Sequence, residues 1–378
     1  MTPIRSMLAV VLAGFAFAPP ALAQQAADRV QPEAATSLKP VSAEPALAKK
    51  FMVAAANPLA TEAGLEILRN GGNAIDAMVT TQLVLNLVEP QSSGIGGGAF
   101  LVFFDAKAGR LTTFDGRETA PAAADPTLFL DEAGDPLTFY DAVVGGRSVG
   151  TPGTLRLLFD THARFGALDW KSVVEPAIDL AKAGFEVSPR LSQSIAGDAD
   201  RLKRFAGARD YFFDAGGEPL QPGTLLKNEA FARTLQTIAD DGAAAFYDGP
   251  LAEAIVATVQ NAEGNPGRLA LSDLANYRIV EREPVCITYR VQEVCGMGPP
   301  SSGALTVGQI LGLIEPFDIK ALGPQNPQAW RLIGDASRLA FADRGRYMAD
   351  IDFVPMPLKG LLDKDYLASR AELLKGER

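Results

Sequence analysis

Residues 74–88, AIDAMVTTQLVLNLV, form a helical pattern that is apolar almost all the way round, with Asp76, Gln82 and Asn86 its only strongly polar residues. A helix without a polar face cannot lie on a surface, so the fold has to enclose it between layers. The next stretch of chain supplies one of those layers. A glycine cluster, Gly94–Gly98, leads into a strand over Ala99–Asp105, a turn over Ala106–Gly109 and a second strand over Leu111–Asp115. Upstream, Leu59–Asn70 reads as a helix stopped by Gly71-Gly72.

Beyond these elements, Thr151-Pro152 reads as an N-cap and first helical residue, opening a helix through Arg164. Helical patterns dominate from Trp170 to Gln260, and strands return between Tyr277 and Met297. Pro299-Pro300 breaks the pattern. Helices come next over Ala304–Glu315 and Pro327–Met348, with a shorter one near Tyr366–Leu374. There is no internal repeat and no strict strand-helix alternation. Helices flanking antiparallel hairpins predict a layered α+β fold. The short linkers place residues 46–378 in one domain.

The N-terminus carries an address. Arg5, the apolar run Met7–Ala18 and the small residues Ala21-Leu22-Ala23 have the order of a secretory signal peptide, predicted to span 1–23. Residues 24–45, rich in Ala, Gln, Pro and Glu without periodicity, read as a flexible mature N-terminus. The apolar run is too short to span a bilayer, and no later segment reaches about 18 uninterrupted apolar residues. The expected location is therefore periplasmic or secreted, without a membrane span. A net charge of −10, with no basic block to offset it, argues against a nucleic-acid partner.

One histidine and two cysteines among 378 residues are too few for a structural Cys/His zinc site, which takes about four such ligands, and no metal site is expected. The cysteines sit in PVCITYRVQEVCG, whose alternation predicts a hairpin turning at Arg290-Val291. In that register Cys286 faces Cys295. They either bridge, as an oxidising compartment permits, or remain as two reduced core thiols.

Two short motifs invite functional readings and fail on context. Phosphate loops come after a strand and open a helix, but Gly94–Gly98 comes after a helix and opens a strand. Its glycines read as structural, allowing positive φ and close backbone approach. Gly146-Arg147-Ser148-Val149-Gly150 matches a GxSxG nucleophile elbow, yet the helix expected directly after Ser148 is delayed. The one histidine, His162, lies on that helix and reads as a residue of its surface. An enzyme without a usable histidine needs another base: a carboxylate, a lysine, or the free α-amino group of an N-terminal nucleophile. One polar cluster remains, Asp115-Gly116-Arg117-Glu118-Thr119 at the end of the second strand. Arg117 there is either half of a structural ion pair or a two-point fork for a substrate carboxylate.

Taken together, NPLATEAGLEILRNGGNAIDA (Asn57–Ala77), PQSSGIGGGAF (Pro90–Phe100), DGRETAP (Asp115–Pro121), SVGTPGT (Ser148–Thr154), GPPSSG (Gly298–Gly303) and DFVPMPLKGLL (Asp352–Leu362) resemble the γ-glutamyltransferase family, in family order over most of the chain. The resemblance implies the four-layer αββα fold of N-terminal-nucleophile hydrolases and a precursor that cuts itself into large and small subunits. It further implies that Arg117 binds the α-carboxylate of a γ-glutamyl donor such as glutathione. Water or an amino acid would be the acceptor, and no cofactor would be needed. This chain would be the large subunit or a truncated precursor, with the nucleophilic threonine expected downstream of Arg378. Gly116 replaces a bulkier family residue and is similar to relatives that are cephalosporin acylases, which cleave glutaryl amides. A non-catalytic periplasmic protein holding a carboxylate on Arg117 is the remaining alternative.

Overall fold

The computed structural model describes residues 45–376. The expected leader, 1–23, and all but the last residue of the 24–45 segment lie outside the described residues. Helix α1, Pro58–Arg69, opens on Asn57, whose side chain accepts the Leu59 N–H at 3.0 Å, with proline as its first residue. The chain leaves it through Gly71, whose φ of 92° suits glycine. Helix α2, Ala74–Val88, starts on a capping box. The Asn73 side chain accepts from the Ile75 and Asp76 N–H groups, and the Asp76 carboxylate accepts the Asn73 N–H at 2.8 Å.

Helices α1, α3 (Thr154–Phe165) and α4 (Trp170–Ala183) pack around α2 and bury Val79, Leu83, Val84 and Leu87. That enclosure is what an all-round apolar helix requires. Its polar exceptions are partnered: Gln82 bonds Asn86, and Asp76 serves the cap and the loop after α3. Helix α5, Glu229–Asp241, adds to α4 from outside. The helical run from 170 to 260 is interrupted by a two-residue ribbon that pairs Phe185–Glu186 with Leu225–Leu226.

Strands β1 (Ala99–Asp105) and β2 (Arg110–Gly116) pair antiparallel with Ala99 opposite Gly116, and β3 (Val280–Arg282) joins the far edge of β2. Leu101, Phe103 and Phe114 face the helices, where the Phe165 ring sits 4.9 Å from Phe103 and 5.9 Å from Phe114. By the period of a strand, Phe100, Val102 and Phe104 point the other way, and Val102 and Phe104 remain 45% and 61% exposed. The fold is α+β. Among the described residues, one helical layer backs one sheet, half of an αββα arrangement.

A second cluster gathers α6 (Gly303–Ile314), α7 (Pro327–Tyr347) and α8 (Lys364–Ala371) around Leu313, Leu332, Ala336 and Leu367. A hairpin of β4 (Val285–Tyr289) and β5 (Gln292–Gly296) rests on α6, with Ile287 so close to Gly308 that a methyl there would sit 2.9 Å from it. The turn is Arg290-Val291, and the Arg290 N–H, at a φ of 56°, donates to Glu315 at 2.9 Å. Cys286 faces Cys295 across the hairpin, and their sulfurs are bonded at 2.10 Å. Closing so short a loop removes little unfolded-chain entropy. Reduction, or Cys286→Ser with Cys295→Ser, should therefore cost about 2–3 kcal/mol. A denaturant midpoint unchanged by reduction would contradict this. No helix among the described residues is long and apolar enough to cross a membrane.

Candidate functional site

Three segments meet at the end of β2: 94–98, 115–119 and 150–154. Thr119 and Thr151 exchange main-chain hydrogen bonds of 3.3 and 2.8 Å. That pairing gives the Thr151 carbonyl to Thr119, so it does not open a helix, and α3 starts at Thr154 and not at Pro152. Capping passes to a carbonyl, since Gly97 O accepts the N–H groups of Gly153 and Thr154 at 2.9 and 3.0 Å. Such closeness requires glycine. A methyl at Gly153 would lie 2.0 Å from the Tyr277 hydroxyl and 2.1 Å from Gly116 O, and one at Gly98 would lie 2.4 Å from a Glu118 carboxylate oxygen. Of the two structural reasons expected for the Gly94–Gly98 cluster, close approach holds at Gly98 alone, and positive φ does not hold: none of its glycines adopts it. Gly153→Ala should destabilise the fold by about 1–3 kcal/mol through overpacking, read as a fall in Tm.

The junction presents Arg117. Its N–H donates to Asp115 Oδ1 at 2.9 Å, and its carbonyl accepts the Tyr277 hydroxyl at 2.8 Å. The guanidinium is exposed, 6.0 Å above the Phe100 ring, and no carboxylate among the described residues pairs with it. It lines a cleft of about 500 Å³ with Glu118, Tyr277, Arg282, Asp350 and Phe353. The structural ion pair of this cluster belongs to another arginine. Arg282, on β3, donates from Nε to Asp115 Oδ2 at 2.8 Å and forks onto both Asp352 oxygens at 3.0 and 2.7 Å. The hydrogen bonds from Arg282 hold the Asp352 carboxyl below its usual range. The fork is thus intact at neutral pH and loosens only as pH falls through that lowered value. Burial pushes the Tyr277 phenol well up, so it remains a neutral donor.

Gly116 faces away from the cleft. A methyl there would sit 2.7 Å from Leu157 Cβ on α3, so helix packing sets its size. Tyr277, Arg282 and Asp352 carried no expected role. Arg282 is flanked in sequence by Glu281 and Glu283, which mask its actual partners, Asp115 and Asp352.

His162 is a correction. It is 8% exposed, and its Nε2 lies 3.2 Å from Asp76 Oδ1, off the line of a hydrogen bond, with its ring 5.3 Å from Trp170. The spacing Leu155, Leu158, His162, Phe165 puts it on the inward stripe of α3, which the surface assignment overlooked. Ser148 Oγ donates to Val143 O at 2.8 Å and has no histidine partner, so the nucleophile-elbow reading finds no support. Cys286, Glu293 and Cys295 bring possible ligand atoms together, but both sulfurs are committed to their mutual bond.

Comparison with known proteins places this geometry among relatives. Residues 60–378 match the family model described as Gamma-glutamyltranspeptidase. The chain is 39% identical over 326 residues to a "Glutathione hydrolase proenzyme" of Bacillus subtilis (strain 168), covering 86% of this chain and 55% of that protein. It is also 39% identical over 340 residues to an "Acylase ACY 1 proenzyme" of Pseudomonas sp. (strain V22), covering 89% and 60%. The chain therefore spans little more than half the length of these curated relatives. The crystal structure of Helicobacter pylori gamma-Glutamyltranspeptidase superposes with a TM-score of 0.84 at 33% identity, over 89% of this chain and 95% of that one.

Proposed function

The chain belongs to the γ-glutamyltranspeptidase family, and from that premise we propose that it supplies the large subunit of a γ-glutamyl hydrolase/transpeptidase made as a self-cleaving precursor. Residues 46–378 form one domain that holds the acyl donor, and a threonine downstream of Arg378 begins the small subunit. Arg117 grips the α-carboxylate of glutathione or another γ-glutamyl amide. The threonine hydroxyl attacks the γ-amide carbon while the threonine's own α-amino group takes the proton. The donor's amine leaves, and water or an amino acid then attacks the ester to free the γ-glutamyl group. The histidine count fits this chemistry, which uses neither histidine nor cofactor.

The observation that carries the reading is the state of Arg117. It is an exposed guanidinium without a carboxylate partner among the described residues, both of its peptide groups are tied down, and Asp115, two residues before it, is already taken by Arg282. A two-subunit assembly is supported by the relatives' proenzyme names and by the sheet face at Val102 and Phe104, apolar and uncovered as a face awaiting a second sheet would be. The leader expected over 1–23 supports a periplasmic or secreted location.

The acylase relative favours a second reading, a glutaryl-type β-lactam acylase of the same fold. Gly116 lends it no weight, because its α-carbon faces Leu157 and not the cleft. The two readings part on a single ammonium group, present in γ-glutamyl and absent from glutaryl donors. The full gene product should hydrolyse a γ-glutamyl anilide faster than the matching glutaryl anilide. Preference for the glutaryl compound would select the acylase, and turnover of neither would contradict both.

A further inference from the structure

Two-point contact between the Arg117 guanidinium and a carboxylate is favoured by a fixed backbone, and two side chains fix it, Asp115 from two residues away and Tyr277 from a distant part of the chain. Asp115 accepts the Arg117 N–H, and Tyr277 donates to the Arg117 carbonyl, at 2.9 and 2.8 Å. With the peptide groups on both sides held, the direction of the Cα–Cβ bond is set, and the side chain swings only about its own torsions. Asp115 is itself held: Arg282 bonds its second oxygen at 2.8 Å and ties it to Asp352, on the segment that brings Phe353 to the rim of the cleft. Room for the Tyr277 hydroxyl exists because residue 153 is glycine, and the Tyr277 ring is steadied by stacking on Tyr247 at 6.0 Å.

From this we infer that Tyr277 and Arg282 are positioning residues for the acyl donor, acting through the main chain of Arg117 and through Asp115. The inference rests on Arg117 binding the donor carboxylate. Displacing a binding group by about an ångström is enough to weaken a bound geometry severely. Tyr277→Phe keeps the ring stack and removes one hydrogen bond, and should raise the donor KM about 3- to 10-fold with kcat near wild type. Arg282→Gln frees Asp115 and the Asp352 segment together and should raise it about 10- to 100-fold. Arg282→Lys, which keeps the charge beside Asp115 but loses the fork, should recover part of that loss.

The deciding experiment is a double-mutant cycle in the full enzyme, with donor KM, kcat and Tm measured for Tyr277→Phe, Arg117→Ala and the pair. If Tyr277 acts through Arg117, Tyr277→Phe adds little in the Arg117→Ala background. An effect equal in both backgrounds, or none in either, overturns the positioning role while leaving Arg117 as the carboxylate ligand. Wild-type kinetics in Arg117→Ala overturns the carboxylate reading, and the inference falls with it. Should Arg282→Gln fail to fold, Arg282→Lys and Tyr277→Phe still decide the question. Wild-type donor KM in both would overturn the inference.

Discussion

Arg117→Ala should lower kcat/KM for a γ-glutamyl donor about 30- to 1000-fold, the kinetic equivalent of losing about 2–4 kcal/mol of charge-assisted binding. Arg117→Lys should fall between, since it retains the charge and loses the planar two-point fork. The geometry says why stability should hardly change. The guanidinium is exposed and without a carboxylate partner among the described residues, while its peptide groups bond Asp115 and Tyr277 whatever the side chain. A structural arginine would behave oppositely, lowering Tm and leaving the kinetics of the surviving fold unaltered. Unaltered kinetics in Arg117→Ala would remove the assignment.

The largest stability effect is expected far from the cleft, at Asp76. This carboxylate is wholly buried, closes the capping box of α2, and accepts the Ala167 N–H at 3.0 Å and the Leu168 N–H at 3.4 Å. His162 lies against it. Asp76→Ala would strand three main-chain donors in the core at once, at a cost of about 3–5 kcal/mol. Asp76→Asn, which keeps an acceptor oxygen, should cost less. An unfolding free energy lowered by less than about 1 kcal/mol in Asp76→Ala, from denaturant titration, would show that the buried network relaxes or that water reaches it.

Much of the architecture was legible because local patterns decided it. The all-round apolar run at 74–88 had to be enclosed, and the alternation on either side of Arg290-Val291 set a hairpin whose register comes from counting outward from the turn. The start of α3 was not legible. Thr151-Pro152 has the chemistry of a helix start, but the extended Thr119–Thr151 bridge, a contact between residues far apart in sequence, overrides it. His162 was misplaced for a different reason. Its inward stripe was readable, but the buried acid it meets sits 86 positions earlier and its aromatic neighbour belongs to the next helix. At the site, Arg117 stood out as an arginine at a strand end among acids. Which arginine was spoken for could not be read, because Arg282 reaches Asp115 only through pairing of β2 with β3. Glycines showed the same limit: the cluster announced itself, while the atoms crowding Gly98 came from Glu118, and those crowding Gly153 from Tyr277 and Gly116.

The measurement closest to the central claim is the mass of each chain of the full gene product, quenched in acid during turnover of a γ-glutamyl amide. A γ-glutamyl adduct should appear on a chain that begins with threonine, and Arg117→Ala at the same donor concentration should sharply reduce it. The adduct should vanish, along with chain cleavage, when that threonine is replaced by alanine. An uncut product that still turns over, an adduct on Ser148, or an adduct formed equally fast without Arg117 would contradict the account.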